Sequence, residues 1–139
     1  MDGIAFEDQQ VGQTASVGKT ITDADILLFA AVSTDTNPVH LNAEAAAASV
    51  FKERVAHGML SAGLISAVLG TQLPGAGTIY LAQTLNFRRP VRIGDTVTAT
   101  AEVTALDPAK KRATLRTTCT VAGKVVIDGE ATVLPRSRA

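Results

Sequence analysis

A chain of 139 residues suits one domain with one hydrophobic core. At 46% hydrophobic and 19% charged residues it is not composed like a disordered chain, and its thirteen basic and thirteen acidic residues cancel, which gives no support for a nucleic-acid or acidic-membrane partner. The single cysteine, Cys119, excludes an intrachain disulfide framework and a cysteine-based metal cluster.

The N-terminal stretch MDGIAFEDQQVG has neither the basic start nor the apolar run of a secretion signal, so a reducing cytoplasm is the expected compartment. ASVGKTI is a candidate first strand. Thr22 followed by Asp25 resembles a capping box, and Ile26, Phe29 and Ala30 then fall at helical spacing. A helix is predicted from about Asp23 to Val32.

The next stretch is STDTNPVHLN, with Asp35 and His40 five positions apart. Pro38 lacks a backbone N–H and pushes Asn37 away from helical geometry, so Ser33 to His40 is expected to bend. Asn37 can tie that bend down through side-chain-to-backbone bonds, and Asn42 can cap a second short helix through AEAAAASV.

From Val55 to Phe87 there is no Lys, Arg, Asp or Glu. The clearly apolar part, GMLSAGLISAVLG, is shorter than the roughly 20 residues a membrane span needs. It predicts a third helix from near Gly58 to near Gly70, buried on nearly all sides. Gly58, Ala62, Ser66 and Gly70 form a small-residue stripe, and Leu60, Leu64 and Val68 a bulky row. Close packing against sheet backbone is the expected use of Gly63, Ala67 and Gly70. At the helix start, backbone N–H groups lack helical partners, and a glycine lets a carbonyl oxygen approach one.

Beyond Gly77 the period changes to two. TIYLAQTLNF reads as one strand with Ile79, Leu81, Leu85 and Phe87 in phase. TVTATAEV places Val97, Ala99, Ala101 and Val103 on one face. ATLRTTCTV does the same with Ala113, Leu115, Cys119 and Val121, interrupted by Thr117. KVVIDGEATVLP gives a further strand, with Asp128–Gly129 as a bulge or turn. No repeat or long linker divides the chain, so residues 1–139 are expected to form a single α+β domain: one strand, helices, then antiparallel strands curled about the apolar helix.

STDTNPVHLNAEAA followed by VAHGMLSAGLISAVLG resembles the MaoC-like, (R)-specific enoyl-CoA hydratases. Their motif is Asp-x-Asn-Pro-x-His, and Asp35, Asn37, Pro38 and His40 fill its four fixed places. The resemblance spans nearly the whole chain. It implies a single hot-dog fold, a curled antiparallel sheet around a central helix, of the small bacterial type that supplies (R)-3-hydroxyacyl-CoA for polyhydroxyalkanoate synthesis. It also implies a homodimer with an acyl-CoA thioester bound near the interface, and no metal or redox cofactor. Asp35 and His40 are then the catalytic pair, the Gly58 N–H receives the thioester oxygen, and Ser66 supports the catalytic aspartate.

The chemistry needs such residues. Hydration of a 2-enoyl thioester adds OH at C3 and H at C2, so a base must take a proton from the attacking water. Imidazole titrates near neutrality and can be that base, and a carboxyl group can hold the same water and donate a proton. His40 is assigned as base and Asp35 as water-positioner and proton donor, with the reverse assignment open. His57 is expected to be a structural residue at the helix start, and Cys119 a core residue. Arg88, Arg89 and Arg92, and separately Lys110, Lys111 and Arg112, suit solvated turns, and either cluster can pair with the CoA phosphates. Three rivals stand beside the hydratase: a hot-dog thioesterase, which usually needs a carboxylate on or near the central helix; a non-catalytic acyl-CoA-binding subunit; and a hydratase for branched or carboxylated acyl groups.

Overall fold

Alternating strands and one apolar helix dominate the computed structural model, which describes residues 2–138. After a 3-10 turn at Phe6–Asp8 the order is β1 (Thr14–Thr20), α1 (Asp23–Ser33), α2 (Pro38–Leu41), α3 (Ala43–Ala47), α4 (Gly58–Thr71), β2 (Ile79–Gln83), β3 (Asn86–Phe87), β4 (Thr96–Asp107), β5 (Arg112–Val121) and β6 (Lys124–Leu134). All pairings are antiparallel, in the order β1-β4-β5-β6-β2, with β3 also on β6. This open sheet with α4 packed on β1, β4 and β5 is the hot-dog arrangement, an α+β fold.

Local chemistry sets the helix bounds. The Thr22 hydroxyl accepts from the Asp25 N–H at 3.2 Å, and the Asp25 carboxylate accepts from the Thr22 N–H at 2.9 Å. Both halves of the capping box therefore exist. The Thr22 N–H, with help from Lys19, holds the Asp25 carboxyl below its ordinary range. Asn42 caps α3 by accepting from the Ala45 N–H at 2.9 Å.

The period-two pattern of β4 is realised: Val97, Ala99, Ala101 and Val103 are all fully buried. They join Ala113, Leu115, Cys119, Ala131 and Val133 from β5 and β6, and Ile65, Val68 and Leu69 from α4, in one core cluster. Burying each large aliphatic side chain contributes about 1.5–3 kcal/mol.

Three expectations need correction. First, α4 is not covered on nearly all sides. Met59, Gly63, Ser66 and Gly70 lie on an exposed face, and a Cβ at Gly63 or Gly70 would meet nothing within 4 Å. Close approach of helix to sheet is provided by the sheet, whose inner face carries Ala99, Ala101, Ala113 and Ala131. Second, TIYLAQTLNF is two strands, β2 and β3, interrupted at Thr84 and Leu85. Third, Asp128–Gly129 is not a turn but continues within β6, and the register shift of β6 against β5 falls just before it, where Cys119 pairs with Ile127 but Thr120 with Val125. A Cβ on Gly129 would collide with the Thr84 carbonyl, so glycine is needed there for close approach.

Cys119 is fully buried, and burial pushes its thiol up to about 11. Its thiolate, the reactive form, is therefore scarce at pH 8. A disulfide exchange reagent such as Ellman's should fail to label the folded protein at pH 8 and should label one thiol per chain once denaturant is added. Fast labelling in the folded state would contradict this packing.

Candidate active site

The chain reverses after α1 through Thr34, which occupies the left-handed region at φ 65°. A β-branched residue there is strained, and the flanking bonds hold it. The Ser33 hydroxyl donates to the Phe29 carbonyl at 2.6 Å and accepts from the Asp35 N–H at 3.1 Å. The Asp35 carboxylate in turn accepts from the Asn37 N–H at 3.2 Å. Pro38 does not make this bend. It opens the one-turn helix α2 at the first helical position, where its missing N–H costs no bond, and the Asn37 side chain caps that turn by accepting from Val39 N–H at 3.2 Å. His40 therefore stands on a helical turn and not on the bend expected from Ser33 to His40.

His40 is half-buried, and its Nδ1 lies 2.7 Å from the Val55 carbonyl. A carbonyl only accepts, so Nδ1 carries the proton and Nε2 is left as the basic nitrogen. Arg54 braces the same turn, donating through Nε to the His40 carbonyl at 2.7 Å and through Nη2 to Asp23 at 2.6 Å. His57, the residue before α4, is 2% exposed. Its Nε2 is 2.9 Å from the Asp35 carbonyl oxygen, and its ring stacks on His40 with centroids 3.8 Å apart.

Asp35, Asn37, His40, His57 and Gly58 line one cavity of about 560 Å³, with Phe87, Arg88 and Arg89 on its wall. That volume suits a small-molecule ligand. Gly58 is the first residue of α4, so its N–H has no helical acceptor and sits at the positive end of the helix dipole. Gly58 also has a packing reason to be glycine: a Cβ there would come within 2.5 Å of the Phe87 ring. Ser66 lies on the exposed face of α4, outside the cavity lining, and the structure shows no bond from it to Asp35 in the same chain.

At the cavity wall Arg88 pairs with Asp128, Nε to Oδ2 at 3.0 Å, and this partner holds the Asp128 carboxyl below its usual range. Arg89 donates to the Val125 carbonyl at 2.7 Å. Arg92 is engaged by Glu53 and the Phe51 carbonyl. Lys110, Lys111 and Arg112 are outside the cavity lining, at the β4–β5 turn, and Lys111 reaches Glu7 at 3.4 Å.

Candidate ligand atoms of Asp35, His40 and His57 lie within 4.8 Å of one another. The two imidazole planes are only 27° apart and stacked, so their lone pairs run side by side instead of converging. That arrangement suits a shared ring contact better than coordination of one metal ion.

The MaoC like domain matches residues 7–128. An (R)-specific enoyl-CoA hydratase of Rhodospirillum rubrum is 65% identical over 96% of this chain and 92% of its own. The R-hydratase of Pseudomonas aeruginosa in its unliganded form superposes with a TM-score of 0.92 at 50% identity, over 98% of this chain and 88% of that one. The (R)-hydratase of A. caviae involved in PHA biosynthesis gives 0.89 at 47% identity, over 91% and 97%.

The contact between Gly58 and Phe87 is testable. Phe87 is 53% exposed, so its ring can swing aside, and Gly58→Ala should cost about 1 kcal/mol, at the low end for overpacking. In a Phe87→Ala background the same substitution should be close to neutral. Urea midpoints of the four proteins give the coupling, and an additive result would show that the ring does not constrain position 58.

Proposed function

The chain belongs to the MaoC-like family, and we propose that it is an (R)-specific enoyl-CoA hydratase, converting trans-2-enoyl-CoA and water to (R)-3-hydroxyacyl-CoA. The observation that carries this is the meeting of Asp35, His40 and the Gly58 N–H around one cavity. His40, its Nδ1 proton committed to Val55, takes a proton through Nε2 from water as the water oxygen attacks C3. Asp35 holds that water. Charge moves to the thioester oxygen, where the Gly58 N–H receives it, a contribution of about 3–4 kcal/mol. The proton taken by His40 then passes to the Asp35 carboxylate, which delivers it to C2. Water supplies every atom added and no electrons change hands, so the reaction needs no redox cofactor.

Arg88 and Arg89 line the same cavity and suit the CoA phosphates, Arg89 best because its described bond is to a carbonyl and not to an acid. The first turn of α4 carries no acidic residue, which disfavours the thioesterase alternative. A non-catalytic binding subunit would need neither Asp35 nor His40. The single core cluster supports one domain over the whole chain, and the hydratase relatives support a role in supplying polyhydroxyalkanoate synthesis. Among the described residues no helix is long and apolar enough to cross a membrane. The free, buried Cys119 suits the reducing cytoplasm that we propose as the compartment.

We also propose a homodimer. The outer face of α4 exposes Met59 at 54%, and β2, at the end of the strand order, exposes Ile79, Tyr80 and Leu81. An apolar helix face and an unpaired strand edge both favour a partner. Ser66 lies on that helix face, so its support of Asp35 is assigned across the dimer. Sedimentation at micromolar concentration should give about twice the mass of one chain, and a stable, active monomer would contradict it.

Purified protein should consume a short trans-2-enoyl-CoA, seen as loss of enoyl absorbance, and chiral analysis should return the (R) product. An (S) product, or release of free CoA, would sink the assignment. Asp35→Asn and His40→Gln should each lower turnover by at least about 10²-fold with the fold retained. Together they should cost far less than the product of the two, because both act on one water.

A further inference from the structure

Hydration as derived leaves one titratable group of the cavity without a task, His57. Its Nε2 faces the Asp35 carbonyl oxygen at 2.9 Å, so Nε2 carries the proton and donates. Its ring lies 3.8 Å from that of His40, centroid to centroid, at 27°, and meets Phe29 at 4.9 Å. One side chain thus grips the main chain of Asp35 and the imidazole of His40.

Two simpler roles do not fit. His57 stands at the cap position of α4, yet its side chain makes no capping bond there. As core filling it is a poor choice, because Nδ1 is buried without a partner among the described residues, a cost that an apolar residue of similar size would not incur. Violations of this kind belong at functional sites.

We propose that His57 is a positioning residue for the hydration, holding the Asp35 backbone and the His40 ring in the mutual placement that a single water requires. This rests on the assignment of Asp35 and His40 as the catalytic pair.

The test uses three variants. His57→Gln keeps a donor near Nε2 and loses the ring. His57→Phe keeps the ring and loses the donor. His57→Leu loses both. With trans-2-butenoyl-CoA, His57→Leu should lower kcat by about 10–100-fold while KM stays within about twofold, the loss expected from misplaced but intact groups. Gln and Phe should fall in between. In a His40→Gln background, His57→Gln, which removes the ring that stacks on His40, should add little further loss. A lowered Tm with unchanged kcat, or losses that multiply with those of His40→Gln, would overturn the proposal. The wild-type protein supplies a measurement that no folding defect can spoil. Imidazole ¹⁵N shifts at neutral pH should place the proton on Nε2 of His57 and on Nδ1 of His40, and a His57 proton on Nδ1 would overturn the link to Asp35. A wild-type protein without hydratase activity would remove the proposed function while the nitrogen shifts still tested the link.

Discussion

Close contact between α4 and the alanine-lined face of the sheet is the constraint on which the site depends. Ala99, Ala101, Ala113 and Ala131 leave room for Ile65, Val68 and Leu69 to enter the core without a gap. That packing fixes where α4 begins, and two of the cavity's groups are read from its start: the Gly58 N–H and the His57 ring. The helix also contacts the sheet through its own backbone, since the Cys119 thiol lies 3.6 Å from the Ser61 carbonyl. A larger side chain at one of the four alanines would push the helix off the sheet. The Gly58 N–H would move with it, because a backbone N–H goes wherever its helix goes.

The other half of the site is built from local strain instead of burial. Thr34 in the left-handed region costs of order 1–2 kcal/mol, and the Asp35–Asn37 stretch beyond it is exposed. Nothing in that stretch could hold its shape by hydrophobic burial. It is held by a relay of short-range bonds from Ser33 through Asp35 and Asn37 to Val39, and by two long-range anchors, Arg54 and His57. Both anchors come from the segment that leads into α4. The segment also supplies Val55, whose carbonyl sets the tautomer of His40 and whose strand-like bridge to Arg92 ties it to the sheet side. The helix start and the bend from Ser33 to His40 are therefore one mechanical unit.

Local rules were legible in the sequence because their causes are local. The capping box at Thr22 and Asp25, the cap at Asn42, the bounds of α4 and the inward face of β4 all follow from residues a few positions apart. The Asp35–His40 motif was legible by resemblance to a family, since neither residue alone distinguishes a catalytic group from a turn residue. What escaped was decided by distant partners. Pro38 was expected to break helical geometry, but its cost vanishes at the first position of a helix, and only the capping bond from Asn37 to Val39 shows that a helix starts there. The break between β2 and β3 depends on Gly129, more than forty residues downstream of Thr84. The stacking of His57 on His40 joins residues whose spacing in the chain carries no periodic signal.

The small residues of α4 show how far one chain can explain its own sequence. Ala62 faces the core, but Gly63, Ser66 and Gly70 face outward, and a Cβ at Gly63 or Gly70 would meet nothing within 4 Å among the described residues. Glycine within a helix lowers stability by roughly 0.5–1 kcal/mol relative to alanine, and two of them on an unobstructed face add to that cost without any return inside the monomer. A second surface brought close to α4 would give the return, because only small residues let another backbone approach a helix. The exposed Met59 at one end of the same face, and the apolar edge of β2 at the end of the sheet, extend that surface. The proposed dimer thus accounts for a pattern that packing within the chain does not. Ser66 lies on that same outward face, which is why its proposed support of Asp35 is placed across the proposed dimer.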